Sequence, residues 1–233
     1  MLIGGLQKAS LIDYPGKVSC VIFLVGCDFR CPYCHNPELV NRHLYKGSYP
    51  SEKAVCEFLS KRRNLLDGIV ISGGEPTLQN DLMCLCEKVK RMGFQLKLDT
   101  NGSRPGIIRG LIKGGLIDYV AMDIKTDPFR YSPRIAKRCS PESILSSIQL
   151  IMGSDVPYEF RTTCVRPIID EETVEIITKT IIRGARRYVL QRFSNRKVLD
   201  PGYFREAGSG YEDHELLRLK SIADPWVKEC SIR

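Results

Sequence analysis

Six short apolar runs, each closed by turn residues and followed by an amphipathic stretch, give this chain its pattern. Strands are expected at 17–25, 68–72, 95–99, 118–124, 158–165 and 187–193. Between them apolar residues return at helical spacing. Ala54, Val55, Phe58 and Leu59 mark a helix over 52–64 that Ser51 can cap. Leu82, Leu85, Cys86, Val89 and Met92 mark another over 80–92 that stops at Gly93. Further helices are expected at 105–113, at 141–152 behind Ser140 and Pro141, and at 171–182 behind Asp170. This alternation predicts an α/β fold of right-handed βαβ units around a parallel sheet. Residues 1–16 read as an N-terminal extension turning at Pro15-Gly16, and 126–139 as an irregular stretch around Pro128 and Pro133. Residues 196–233 read as a C-terminal extension holding a helix near 213–222 and a short end strand. The 233 residues fit a single domain with its core at roughly 17–195.

The residues that can do chemistry fall at or just beyond the ends of these strands. Cys27, Cys31 and Cys34 follow the first, Gly73-Gly74-Glu75-Pro76 the second, and Asp99-Thr100-Asn101-Gly102 the third. Asp123 and Lys125 close the fourth, Arg161 lies in the fifth, and Phe193-Ser194 end the sixth. In parallel α/β folds the C-terminal rim of the strands is where sites are built. Three cysteines spaced CxxxCxxC can converge on one metal centre as the chain leaves a strand. A cubane [4Fe-4S] cluster takes one cysteine per iron, so three cysteines would leave one iron open to an outside ligand. A zinc site of the same cysteines plus a histidine is the alternative.

Charge and cysteine content narrow the classes further. Lys+Arg 35 against Asp+Glu 27 gives +8, with much of the excess late in the chain at Arg183, Arg186, Arg187, Arg192, Arg196, Lys197 and Arg205. The plainest reading is a solvated basic face; nucleic acid, an acidic protein or a small anion are the binding alternatives. The first residues have neither a basic start nor a long apolar core, so ten cysteines point to a reducing, cytoplasmic compartment and not to disulfides. No apolar run approaches the roughly 20 residues that span a bilayer. Cys20, Cys56, Cys84, Cys86, Cys139, Cys164 and Cys230 show no second cluster spacing and read as packing or free thiols.

The loop Cys27-Asp28-Phe29-Arg30-Cys31-Pro32-Tyr33-Cys34-His35, with an aromatic before its last cysteine, resembles the cluster loop of radical S-adenosylmethionine (SAM) enzymes. Ser10-Leu11-Ile12-Asp13-Tyr14-Pro15-Gly16, Gly26-Cys27 and the continuation Asn36-Pro37-Glu38 resemble the glycyl-radical-enzyme activases, most closely the activating proteins of anaerobic ribonucleoside-triphosphate reductases. The resemblance implies an open, partial parallel barrel of about six βα units. It also implies a [4Fe-4S] cluster on Cys27, Cys31 and Cys34, with S-adenosylmethionine chelating the open iron. By the same likeness Tyr33 flanks the adenine, Gly73, Gly74 and Glu75 hold the methionyl amine with Glu75 as the contact, and Lys125 pairs with the methionyl carboxylate. Asn101 belongs to the same cofactor-binding element, while Asp99, Thr100 and Asp123 surround a monovalent cation. Asp13, His35 and Arg161 contact a glycine-bearing loop of the protein substrate.

The implied activity is reductive cleavage of S-adenosylmethionine and abstraction of hydrogen from a glycine of the reductase. The implied partners are that reductase and an electron donor such as flavodoxin or ferredoxin, with no membrane and no nucleic acid. One departure stands out: Ser194 follows Phe193, where pyruvate formate-lyase activators have a histidine that assists cofactor binding. Two rivals remain. A radical enzyme acting on a small molecule, such as a 7-carboxy-7-deazaguanine synthase, is disfavoured by the Asp13–Gly16 element and the cysteine spacing. A basic zinc module for nucleic acid would make the strand-end motifs a coincidence.

Overall fold

The computed structural model describes residues 1–44, 49–194, 197–204 and 210–233. They form one eight-stranded sheet in sequence order: β1 (Ile3–Ser10), β2 (Ser19–Leu24), β3 (Gly68–Gly73), β4 (Gln95–Thr100), β5 (Tyr119–Asp123), β6 (Tyr158–Cys164), β7 (Tyr188–Arg192) and β8 (Cys230–Ile232). β2 to β8 are parallel, each paired to the next, and β1 runs antiparallel on the β2 edge. The six strands expected from the apolar runs are β2 to β7, and β8 is the expected end strand. β1 and β8 are the two edges, so the barrel stays open.

The helices between strands are α1 (Pro37–Val40), α2 (Glu52–Ser60), α3 (Leu82–Arg91), α4 (Pro105–Lys113), α5 (Pro141–Met152), α6 (Glu171–Ile176) and α7 (Asp213–Ala223). Ser51 Oγ accepts from the Ala54 amide and Asp170 Oδ1 from the Thr173 amide, as their positions predict. Gly93 takes a φ of 88° past α3. Ser140 differs, because its hydroxyl donates to the Glu142 carboxylate and caps no backbone amide. α6 loosens into a π-helical turn at Ile177–Ile181, where the Thr178 hydroxyl donates back to the Val174 carbonyl.

The two faces of the sheet differ in kind. Ile69, Ile71, Leu96, Leu98, Val120, Met122, Phe160 and Leu190 belong to the large apolar core. On the other face the period-2 alternation places Ser72, Lys97, Asp99, Asp123, Glu159, Arg161, Thr163 and Gln191. Its apolar residues include a small cluster of Tyr14, Val21 and Val70 near the strand beginnings, with Tyr14 packed against Tyr119 at 5.8 Å, and the buried Ala121 and Val189. A parallel sheet covered on both sides normally has apolar faces. This sheet gives the rim half of one face to polar and charged side chains.

The antiparallel return of β1 corrects one expectation. Ser10 pairs with Ser19, so residues 11–18 turn at the N-terminal end of β2, while Cys27 follows its C-terminal end. The strand between them is about 20 Å long. Asp13 therefore lies at the far end of the sheet, where it accepts from the Ser10 hydroxyl. It does not join His35 and Arg161.

Candidate active site

The cysteine loop is folded by its neighbours. Gly26, at φ 106°, turns the chain out of β2, donating to the Leu39 carbonyl at 2.7 Å and accepting from the Glu75 amide at 2.7 Å. The Arg30 amide donates to the Ile135 carbonyl at 2.7 Å, and Phe29 meets the edge of Tyr131 at 5.6 Å. The Tyr131 hydroxyl in turn accepts from the Lys125 amide at 2.8 Å. The irregular stretch 126–139 is thus the brace of the cysteine loop.

Cys27, Cys31 and Cys34 line one cavity of about 240 Å³, together with Tyr33, Gly73, Gly74, Asp99, Asp123, Lys125 and Arg161. Among the described residues no three His, Cys, Asp or Glu side chains gather around a single ion position. The neighbouring histidine is also engaged: His35 Nε2 lies 2.7 Å from the Ser194 carbonyl, and its ring stacks on Phe193. A mononuclear zinc site closed by His35 does not match this arrangement. In a cubane each cysteine binds its own iron, so separated thiols facing one cavity suit that group. Burial pushes the Cys31 thiol up to about 12 and also raises Cys27 and Cys34, with Glu75 adding to the rise at Cys27. These groups are neutral thiols until a metal displaces their protons.

Glu75 departs from its expected role. Its carboxylate has no exposed surface; Oε1 accepts from the Thr77 amide and the Thr77 and Thr100 hydroxyls, and Oε2 from the Asn101 amide at 2.6 Å. Burial outweighs these donors and lifts its carboxyl to about 7. The side chain ties the β3 end to the β4 end and points away from the cavity that Gly73 and Gly74 line. A Cβ on Gly74 would come within 2.0 Å of the Gly26 carbonyl oxygen, and one on Gly73 within 2.3 Å of the Leu24 amide nitrogen. The glycines are required first by the chain's own backbone.

Charge is concentrated on β4, β5 and β6. Lys97 Nζ lies 2.6 Å from Asp99, Arg161 Nε 2.7 Å from Asp123, Arg161 Nη1 3.5 Å from Asp99, and Lys125 Nζ 2.8 Å from Asp123. Asp123 and Arg161 are register partners on adjacent strands, which fixes their contact. Burial alone would raise both carboxyls, but Arg161, helped by Lys125 and Lys97, holds Asp123 and Asp99 below the usual range. Burial would lower Lys125, and Asp123 reverses this. Three cations thus face two carboxylates, leaving an excess of one positive charge.

Asn101 donates to Asp28 at 2.9 Å with its amide nitrogen 4.0 Å from Cys27 Sγ, and the Thr100 hydroxyl is used by Glu75. Tyr33 is buried beside Lys125, whose carbonyl accepts from its hydroxyl at 3.4 Å. Ser72, Thr163 and Gln191 also line the cavity, and Lys97 lies behind Asp99, with no motif in the sequence marking them. Lys97 had a legible signal, a lysine between Leu96 and Leu98 two residues before Asp99 and so on its face.

The radical SAM superfamily model matches residues 21–180. This chain is a radical SAM enzyme. It is 38% identical over 237 residues, spanning 100% of this chain and 95% of the relative, to a Methanocaldococcus jannaschii protein assigned as a glycyl-radical enzyme activating enzyme. It is 33% identical over 225 residues, 90% of this chain and 82% of the relative, to the pyruvate formate-lyase-activating enzyme of Streptococcus mutans. Among solved structures it shares the fold of Streptococcus suis SuiB bound to S-adenosylmethionine, with a TM-score of 0.64 and 17% identity. That match covers 86% of this chain but 45% of SuiB, so the radical SAM chain described here spans about half of that structure's length. The superfamily works with a [4Fe-4S] cluster and S-adenosylmethionine, which agrees with three cysteines on one cavity. Among the described residues no helix is long and apolar enough to cross a membrane.

Proposed function

We propose that this chain activates a glycyl-radical enzyme, an anaerobic ribonucleoside-triphosphate reductase, by taking hydrogen from one of its glycines. The observation that carries the reading is the cavity, where Cys27, Cys31 and Cys34 face Asp99, Asp123, Lys125 and Arg161, with the buried Lys97 behind Asp99 bringing the group to one cation in excess. The near full-length likeness to an assigned activating enzyme supports the partner class.

In this reading the three cysteines hold the cluster. The Lys125 ammonium, carried by Asp123, faces the methionyl carboxylate, and the backbone of Gly73 and Gly74 lines the place of the amine. Tyr33 gives the adenine an aromatic neighbour. Asp99 and Asp123 already have cationic partners, so an anion satisfies this group better than the monovalent cation expected from the likeness. When bound, cluster and S-adenosylmethionine supply a one-electron cleavage that yields methionine and a 5′-deoxyadenosyl radical. The protein's part is to orient the cofactor, exclude water and hold one glycine Cα against the reacting carbon. Arg161, 12% exposed and fixed between Asp99 and Asp123, forms the wall that this glycine loop would meet.

The test is anaerobic incubation of the reconstituted protein with the reductase of the same cell, S-adenosylmethionine and dithionite, read by EPR. The expected result is a glycyl doublet on the reductase that disappears when its loop glycine is changed to alanine. Vigorous cleavage of S-adenosylmethionine with no protein radical would move the substrate to a small molecule.

A further inference from the structure

A group held by Cys27, Cys31 and Cys34 must receive one electron in each turnover, and the cavity side of the loop is where cofactor and glycine would sit. The electron therefore enters from the outer side. Resting on the function proposed above, we infer that the exposed basic face made by Arg30, Arg134, Lys137 and Arg138 docks an acidic one-electron carrier protein.

Position is the first argument. Arg30 lies between Cys27 and Cys31, and its guanidinium donates to the Cys27 carbonyl at 2.9 Å and the Phe29 carbonyl at 3.1 Å. Its amide holds the Ile135 carbonyl at 2.7 Å, which pins Arg134, Lys137 and Arg138 beside the cysteine loop. Charge is the second argument. All four side chains are exposed, and among the described residues none has an ion-pair partner. The nearby carboxylates are already engaged: Asp28 accepts from Asn101, and Asp170, which lines a small pocket with Arg134, accepts from the Thr173 amide and hydroxyl. The same segment carries Phe129, 67% exposed, an apolar anchor of the kind that docking surfaces use.

The late basic residues offer a contrast. Arg187 pairs with Glu229, Arg192 with Asp213 and Lys197 with Glu38, while Arg183 and Arg186 lie over the Trp226 and Tyr158 rings. Arg196 and Arg205 lie outside the described residues. Unpaired positive charge next to the cysteine loop is what an acidic surface can use for steering and orientation. Electron balance is simple: the reduced carrier, a flavin or iron–sulfur protein, loses one electron, the cysteine-held cluster gains it, and no proton moves. A nucleic acid would also meet a basic face, but nothing about it requires the neighbourhood of the cysteines.

The experiment uses the reconstituted holoprotein and an acidic flavodoxin as probe, with binding measured calorimetrically at low and high salt. A variant carrying Arg134→Glu, Lys137→Glu and Arg138→Glu is compared with wild type; Arg30 is left in place because it bonds the loop. Wild-type binding should weaken with salt, and the triple variant should bind flavodoxin about tenfold or more weakly at low salt. Its cluster content and dithionite-driven cleavage of S-adenosylmethionine should match wild type, since dithionite needs no docking surface. Unchanged flavodoxin affinity in the folded, loaded variant overturns the inference, as does tighter binding of a single-stranded oligonucleotide than of flavodoxin. Failure of dithionite-driven cleavage in wild type would instead strike the function proposed above and leave the binding result readable.

Discussion

Glu75 accepts from donors that cannot all be matched by an amide. In Glu75→Gln a nitrogen must face either the Asn101 amide or the Thr77 and Thr100 donors, setting buried donor against donor. The expected cost is about 1–3 kcal/mol of stability, read from chemical denaturation. The pH dependence has a definite sign. A folded-state value near 7 lies above the ordinary 4.5, so the folded protein holds this proton more tightly. The contribution is complete below pH 4.5 and fades as pH rises through 7. The stability advantage of wild type over Glu75→Gln should therefore shrink across that window; an advantage that grows with pH would reverse the assignment. The sequence marked Glu75 as part of the site but could not say which way it points, because that depends on Thr77, Thr100 and Asn101 meeting across two strand ends.

Elements were legible wherever one period dominated. β2 to β7 are apolar runs, and α3, α4 and α5 carry apolar stripes that helical spacing reveals. β1 was not legible. It has Gly4-Gly5 directly after its first residue, Ile3, and carries register irregularities on both sides of Gly5–Gln7, so no alternation marks it. An antiparallel first strand reverses where its turn lies, which puts Asp13 at the end of the sheet opposite the cysteines. At the junction of β2 and β3, Gly74→Ala would drive a Cβ into the Gly26 carbonyl, one residue before Cys27. Melting should show a loss of more than about 2 kcal/mol, and reconstitution should load less iron than wild type. Gly106 in α4 is the control, because nothing lies within 4 Å of its added Cβ. Gly106→Ala should stabilise the protein by about 0.5–1 kcal/mol and leave iron loading unchanged.

Across the whole molecule, the charged face of the sheet runs from the strand beginnings to the rim. Arg233, just past β8, donates to both oxygens of the fully buried Glu159 at 3.0 and 2.7 Å, and Lys97, Asp99, Arg161, Asp123 and Lys125 continue toward the cysteines. The rim residues are readable from sequence because each follows an apolar run; Glu159 and Arg233 are not, because their partnership joins residues 74 positions apart. Arg233→Met would strand the Glu159 charge. With Arg233 39% exposed, water can reach part of the pair, so the loss should fall at or below about 3 kcal/mol, and a melting point equal to wild type would show that Arg233 carries no such load.

The charged face ends at the cavity, and the central claim is that the cavity holds a [4Fe-4S] cluster whose open iron meets S-adenosylmethionine beside Lys125. The direct measurement is EPR of the anaerobically reconstituted, reduced protein with and without S-adenosylmethionine. The account predicts a reduced-cluster signal from about four irons per chain that changes shape when S-adenosylmethionine is added. In Lys125→Met the same signal should need about tenfold to a hundredfold more S-adenosylmethionine for that change. Stoichiometric zinc without iron, or a cluster signal indifferent to S-adenosylmethionine at any concentration, would contradict it.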